Sequence, residues 1–480
     1  MRVLAEEVAF VEPLRAFAGV CHLPGPVLLD SARVDPLLGR WSYVAADPFL
    51  LLTSKDGRIR LGDRSLTGDP FAVLQRLLRA SPIETDPGLP PFQTGAVGYL
   101  AYDLCHHLER LPAPETDDLR FPDLMLGLYD TVAAFDLVER RAWVMSSGLP
   151  ETSPEPRMHR RRARLDRLAG LIAGAAEPEA PSTAAAGPVG SGFDRPGYEA
   201  MVQQVVDYIL AGDIFQANVS QRFTAVLPPG LTPFDLYRRL RAHNAAPFAA
   251  FMDFGEVVIA SASPERFLRL DRGRVETRPI KGTRRRHADP AEDVAAAAEL
   301  LASEKDRAEN VMIVDLLRND LSRVCREHSV LTPEICALHS FATVHHLVST
   351  VTGELRQGAD AVDLLRATFP GGSITGAPKI RAIEIIAELE PTRRGPYCGA
   401  LAWLGFDGAM DSAITIRTFA IKGDAITFQA GGGIVADSDP AAEYEESLDK
   451  ARALMSALAG SNDPTIPLNE VGAARRAFGP

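Results

Sequence analysis

The sequence predicts an α+β fold in which runs of strands are separated by helices. Three observations carry this. Apolar runs of strand length recur along the chain, helix-period segments interrupt them, and tight turns join several strands directly, unlike a doubly wound parallel sheet. At 480 residues, 46% hydrophobic and 24% charged, the chain is ordinary for a soluble globular protein of roughly two to four domain-sized units. A net charge of −12 argues against a nucleic-acid partner, because phosphate affinity needs a basic surface, yet leaves room for a basic pocket. The five cysteines (Cys21, Cys105, Cys325, Cys336, Cys398) are scattered without a Cys-x-x-Cys pair, as expected of reduced thiols in a cytoplasmic protein with no structural zinc. Glu6 and Glu7 interrupt the N-terminus before any signal-peptide core, and no apolar run approaches the roughly 18 residues that span a membrane.

Residues 1–173 read as an N-terminal unit, with strands at 26–31 and 41–45 and helices at 71–78 and 157–172. The segment 94–100, with Gly95 and Gly98, reads as a strand under close backbone packing. Residues 174–192, rich in Ala, Pro, Ser and Gly, read as a flexible linker. A second unit, 193–462, opens with helical period at 198–210 and continues with helices at 235–241, 291–317 and 379–388. Its strands are expected at 249–254, 257–261 and 425–429, and residues 463–480 read as a C-terminal tail.

The stretch from Ser263 to Thr283 reads as a β-hairpin, because 266–270 and 274–278 alternate and Asp271-Arg272-Gly273 supplies a turn. Centred near Arg272, it sets Glu265 opposite Pro279 with Lys281 two residues on, so a carboxyl and an amine meet within roughly 5–8 Å. Such a pair can act as general acid and nucleophile or base; read alone, an ion pair closing a hairpin is the plainer reading.

Asp306, Glu309, Ile313 and Leu316 share one helix face, which turns carboxylates inward, where they need a partner or a metal; read alone, it is equally a solvated helix start. Asp439-Pro440 starts another helix, on which Glu443, Glu446 and Lys450 share a face while Tyr444, Leu448, Ala451 and Met455 form the buried one. Two carboxylates on one turn suit a hard cation such as Mg²⁺, although surface helices carry such runs routinely. The glycine-rich 370–379 precedes a helix and can offer N–H groups and hydroxyls to an anion, without P-loop spacing. Ala430-Gly431-Gly432-Gly433-Ile434-Val435 is a second candidate cradle, or a glycine bulge ending a strand. Tyr397 and Arg417 fall on strand-like segments and say little alone.

Taken in order, Gly212-Asp213-Ile214-Phe215-Gln216-Ala217-Asn218, Ala262-Ser263-Pro264-Glu265, Pro279-Ile280-Lys281-Gly282-Thr283-Arg284, Asp315-Leu316-Leu317-Arg318-Asn319-Asp320-Leu321, the 371–379 loop and the segment 431–450 carry a resemblance over nearly all of the second unit. They resemble the chorismate-utilising enzymes: anthranilate synthase large subunits, aminodeoxychorismate synthase component I, and isochorismate and salicylate synthases. The resemblance implies an anthranilate synthase component I-like β-sandwich of antiparallel sheets flanked by helices. Within the family, Pro-Ile-Lys-Gly-Thr resembles the aminodeoxychorismate synthase version, since anthranilate synthases typically have Ala where this chain has Lys281. Gln216 stands where the water-adding members carry a catalytic lysine, which argues against water as nucleophile. Arg285 replaces a common proline, and Phe215 a common tyrosine. Ser31, Trp41, Ser42, Tyr43, Pro247 and Phe248 fall on segments similar to those that line a tryptophan pocket in relatives.

Carried over residue by residue, the resemblance implies that Glu309 and Glu446 bind Mg²⁺ directly, with Asp306 and Glu443 bridged to it by water. The metal would clamp the ring carboxylate of chorismate. Ser373, Thr283, Tyr397, Arg417, Lys450 and the amides of Gly431, Gly432 and Gly433 would hold the substrate, with His346 beside the ring and the leaving hydroxyl. Glu265, kept neutral by burial, would protonate the departing C4 hydroxyl. Lys281, as an amine with its pKa lowered by neighbouring cations and desolvation, would attack C2, and ammonia would then add at C4 to give 4-amino-4-deoxychorismate for 4-aminobenzoate and folate synthesis. The alternatives are anthranilate synthase component I, or a non-catalytic chorismate- or tryptophan-binding homologue. Neither Cys21 nor Cys398 lies in a glycine-x-cysteine-x-glycine turn, so ammonia is expected from a separate glutamine amidotransferase subunit, component II.

Overall fold

In the computed structural model, which describes residues 2–340, 344–460 and 468–469, two large sheets lie face to face. Among the described residues the first sheet has 13 strands and the second 12. Pairing is antiparallel, apart from Val189–Ser191 against Leu468–Asn469 in the first sheet. Both sequence units build both sheets: Val27–Asp30 pairs with Phe248–Asp253, and Gly95–Leu100 with Ala400–Gly405. The space between the sheets is filled by aromatic and branched side chains, among them Tyr43, Phe92, Tyr99, Ile259 and Trp403. Helices cover the outer faces, including Pro154–Ala173 and Pro233–His243 on the first sheet and Pro70–Arg79 and Ala361–Thr368 on the second. This is the helix-flanked antiparallel sandwich expected. No described helix is long and apolar enough to cross a membrane.

Backbone proximity explains the glycine-spaced strand. A Cβ on Gly98 would lie 2.0 Å from the Met125 carbonyl oxygen, and one on Gly95 2.1 Å from that of Leu404. The expected strands and most helices fall where the periodicity put them, but three details differ. The helix expected over 291–317 is two, Pro290–Ala302 and Glu304–Ser322, because Ser303 takes an extended backbone and its hydroxyl caps the Asp306 N–H. The hairpin pairs Asp271 with Arg274 across a two-residue turn, Arg272 (φ 48) and Gly273 (φ 79), so its register carried outward points Glu265 at Ile280, not Pro279. Residues 174–192 end in the strand Val189–Ser191, and Ala186 and Val189 are buried, so the C-terminal part of the expected flexible linker is packed. The tail expected at 463–480 lies outside the described residues except for Leu468–Asn469.

Candidate active site

The strand Ile280–Arg285 runs along Val344–Glu354, with Lys281 opposite Leu347, Thr283 opposite His346, and a register shift between them. Gly282 sits at that shift with φ +74, and a Cβ there would lie 2.9 Å from Asp306 Cβ. Glycine therefore lets the acidic helix Glu304–Ser322 close onto this strand, and the bulge re-aims the side chains beside it. The Lys281 amine reaches the glycine strand of the facing sheet: its Nζ lies 3.6 Å from where a Cβ on Gly433 would stand.

Glu265 precedes the strand Arg266–Asp271, its carbonyl accepting from the Ile414 N–H at 3.0 Å, while Ser263 Oγ donates to Ile414 O at 2.6 Å. Burial pushes the Glu265 carboxyl above the ordinary glutamate range, against a hydrogen bond from Ser373 and the charge of Lys281, which both favour ionisation. The Ser373 hydroxyl thus reaches the Glu265 carboxyl, and the Lys281 charge is near enough to act on it, the three groups arriving from separate segments.

Four carboxylates face this group. Burial raises Glu309, with Asp306 and Glu446 adding to the shift and Lys281 and Lys305 opposing it. Burial also raises Glu443, which accepts from Ser438 Oγ at 2.7 Å. Burial acts on Glu446 in the same sense, but Lys450, 2.6 Å away, outweighs it and holds that carboxyl low. Asp306 is 3.3 Å from Arg284. On the helix Pro440–Ala459 the buried stripe is Glu443, Ser447, Ala451 and Leu454, whereas Leu448 is only half-buried. Among the described residues no three acidic, His or Cys side chains converge as a coordination shell. The donor set is nevertheless of the kind a hard cation takes: Glu446 adds to the upward shift of both Glu309 and Glu443, a repulsion between carboxylates that a divalent ion would relieve. Lys305, one turn before Glu309, was not expected here; its i, i+4 spacing from Glu309 was the available signal.

Gly431, Gly432 and Gly433 are not a bulge. They continue the strand Ala425–Ile434 in register with Ser220, Val219 and Asn218. Thr418–Lys422 pairs only as far as Thr427, so the glycine segment keeps an open edge, where Lys450 donates to Gly431 O at 2.8 Å. A Cβ on Gly432 would lie 3.0 Å from Glu443 Oε2, so glycine makes room for the carboxylates. In the 370–379 loop, Lys379 turns away from any anion and donates to Asp320 Oδ2 (2.6 Å), Thr368 O (2.8 Å) and Pro370 O (2.9 Å).

Tyr397 and Arg417 lie in turns next to strands rather than on strands, Arg417 with φ 54. Burial lowers the Arg417 pKa while neighbouring Tyr397 acts the other way. Thr283 Oγ1 is 2.9 Å from His346 Nδ1, and burial takes the imidazole down to about 4, so it is neutral at physiological pH.

A separate cavity of about 330 Å³ lies between the sheets, lined by Ser31, Trp41, Tyr43, Pro247 and Phe248. Ser42 does not line it: fully buried, it accepts from the Ser31 N–H at 2.9 Å. Arg40, Arg266 and Asp411 add charge to the walls.

Residues 39–456 match the family model described as chorismate binding enzyme. The chain is 44% identical over 422 residues to anthranilate synthase component 1 of Thermus thermophilus, covering 87% of this chain and 89% of the relative. It is 42% identical over 445 residues to aminodeoxychorismate synthase component 1 of Salmonella typhimurium, covering 92% and 94%. The crystal structure of anthranilate synthase component I from Streptococcus pneumoniae TIGR4 matches with a TM-score of 0.76 at 33% identity, over 88% of this chain and 93% of that one. The chain belongs to the chorismate-binding enzymes.

Proposed function

We propose that this chorismate-binding enzyme is an aminodeoxychorismate synthase component I, converting chorismate and ammonia to 4-amino-4-deoxychorismate and water. The placement of Lys281 carries the reading: its amine stands in the cleft beside the Glu265 carboxyl and the glycine strand, where anthranilate synthases typically have only an alanine methyl. Lys281 Nζ attacks ring C2, the ring double bonds shift, and the C4–O bond breaks as Glu265 gives its proton to the leaving hydroxyl. Ammonia then bonds C4, the double bonds shift back, the C2–N bond to Lys281 breaks, and the proton shed by nitrogen returns to the Glu265 carboxylate. Neutral His346, held by Thr283, borders the leaving hydroxyl without adding a second positive charge there. Lys450, Arg417, Tyr397, Ser373 and the open edge of Gly431–Gly433 would hold the substrate carboxylates. Mg²⁺, held by Glu309 and Glu446 with Asp306 and Glu443 behind them, would anchor the ring carboxylate as a point of positive charge.

Ammonia would come from a glutamine amidotransferase subunit. Such a subunit needs a thiol activated toward thiolate, whereas here burial pushes Cys398 up to about 12 and also raises Cys21. The second reading is anthranilate synthase component I, favoured by the 44% identity to the Thermus enzyme. Incubating the protein with chorismate, Mg²⁺ and an ammonium salt at alkaline pH, and resolving products by mass, separates the two. The expected product is 4-amino-4-deoxychorismate; anthranilate with free pyruvate would overturn the proposal, and no turnover would favour a non-catalytic homologue.

A further inference from the structure

We propose that the buried pair Glu390–Arg394, set behind residues assigned to the substrate, is the positioning device that sets the active-site cleft. This rests on the reading of the cleft as a chorismate site. Arg394 has 2% side-chain exposure and Glu390 4%. They are joined by two bonds of 2.8 Å, from Arg394 Nε to Glu390 Oε2 and from Nη2 to Oε1. The rest of the guanidinium serves other segments: Nη1 donates to Ile374 O at 3.2 Å and Nη2 to Asn218 O at 2.5 Å. Its plane stands over the rings of Tyr102 (4.6 Å) and Tyr397 (5.8 Å). Glu390 Oε1 also accepts from the Ser220 N–H at 2.8 Å and its hydroxyl at 2.9 Å.

Three of these contacts, Ile374, Asn218 and Ser220, stop one step short of a residue assigned to the substrate. Ile374 follows Ser373, the hydroxyl that bonds Glu265. Asn218 pairs with Gly433, and Ser220 with Gly431. Tyr397 is itself a candidate ligand. One buried fork therefore fixes the spacing of the glycine loop, the glycine strand and the tyrosine turn, three segments far apart in sequence. Only arginine presents a planar fork that binds a carboxylate twice and still reaches two carbonyl oxygens; a lysine would keep the charge and lose the spacing.

The test uses the full chain with chorismate, Mg²⁺ and an ammonium salt, comparing the unaltered protein with Arg394→Lys, Glu390→Gln, Ser373→Ala and the double variant Arg394→Lys/Ser373→Ala. For Arg394→Lys the expected losses are in kcat/KM, on the order of 100-fold, as for a misplacement of about 1 Å. The alkaline limb of its pH profile should also move to higher pH, because a displaced Ser373 no longer favours the Glu265 carboxylate. If Arg394 acts through Ser373, the double variant should move the limb no further than Ser373→Ala alone. Glu390→Gln, gentler on folding, should move it in the same direction. A lowered Tm with an unchanged limb and KM in both single variants of the pair would overturn the proposal. Absence of chorismate turnover by the unaltered protein would instead overturn the functional reading, and this proposal with it.

Discussion

Lys450 joins the two sides of the cleft: its ammonium lies 2.6 Å from Glu446 Oε1 and donates to Gly431 O at 2.8 Å. It therefore neutralises one carboxylate of the acidic cluster while standing at the open edge of the glycine strand. Lys450→Met should raise the chorismate KM by about 10- to 100-fold, the worth of one charge-assisted hydrogen bond. The same change removes a cation that competes for Glu446, so half-saturation by Mg²⁺ at neutral pH should fall. Steady-state titrations of both ligands check this, and a parallel weakening of both would mean that Lys450 only holds the helix in place.

On the proposed reading, Lys281 decides which product forms. Lys281→Ala should abolish 4-amino-4-deoxychorismate or divert turnover to anthranilate, because the C2 position is then open to ammonia. Mass analysis of products under ammonium is the readout. If rate and product are unchanged, the lysine is not the nucleophile.

Glu265 couples catalysis to stability. Its carboxyl is raised in the folded state by burial, so the stability it contributes is fully present below the ordinary glutamate pKa and is lost as pH rises through the raised value. Glu265→Gln keeps the shape and cannot ionise. Its Tm relative to the unaltered protein should be near equal at about pH 4 and higher at about pH 8, while kcat drops by roughly 10²- to 10⁴-fold, the share of a general acid. A Tm difference that stays flat with pH would remove the burial account of this carboxyl.

Much of this was legible because local signals agreed with the fold. The Asp271-Arg272-Gly273 turn fixed a hairpin in all but one residue of register, since the left-handed pair proved to be Arg272 and Gly273 rather than a turn centred on Arg272. Asp439 and Pro440 marked a helix start that the structure keeps. The break at Ser303 was hidden because good helix formers stand on both sides of it, and one serine cap carries little pattern. The structural task of Lys379 was not legible, because its inward partner, Asp320, is 59 positions away. Arg394 was invisible for the same reason: its partners at 218 and 374 meet it only through the sheet.

The cavity between the sheets offers an independent test. We propose an aromatic amino acid as its ligand, because Trp41, Tyr43 and Phe248 offer aromatic faces, while Arg266 and Asp411 already pair with each other at 2.9 Å and Arg40 pairs with Asp136, so a ligand's charged ends must compete for them. L-Tryptophan should therefore raise the Tm in proportion to the logarithm of its concentration above Kd, reaching about 2.7 kcal/mol of stabilisation at 100 times Kd. Phe248→Ala should weaken that shift without changing chorismate KM when tryptophan is left out. Because Ser31 Oγ already bonds Trp41 O at 2.7 Å, its hydroxyl is a lining group with limited freedom to serve a ligand, and Ser31→Ala should cost less binding than Phe248→Ala. If L-tryptophan leaves the Tm unmoved while chorismate raises it, the cavity is packing space between sheets, and regulation through it is ruled out for this chain.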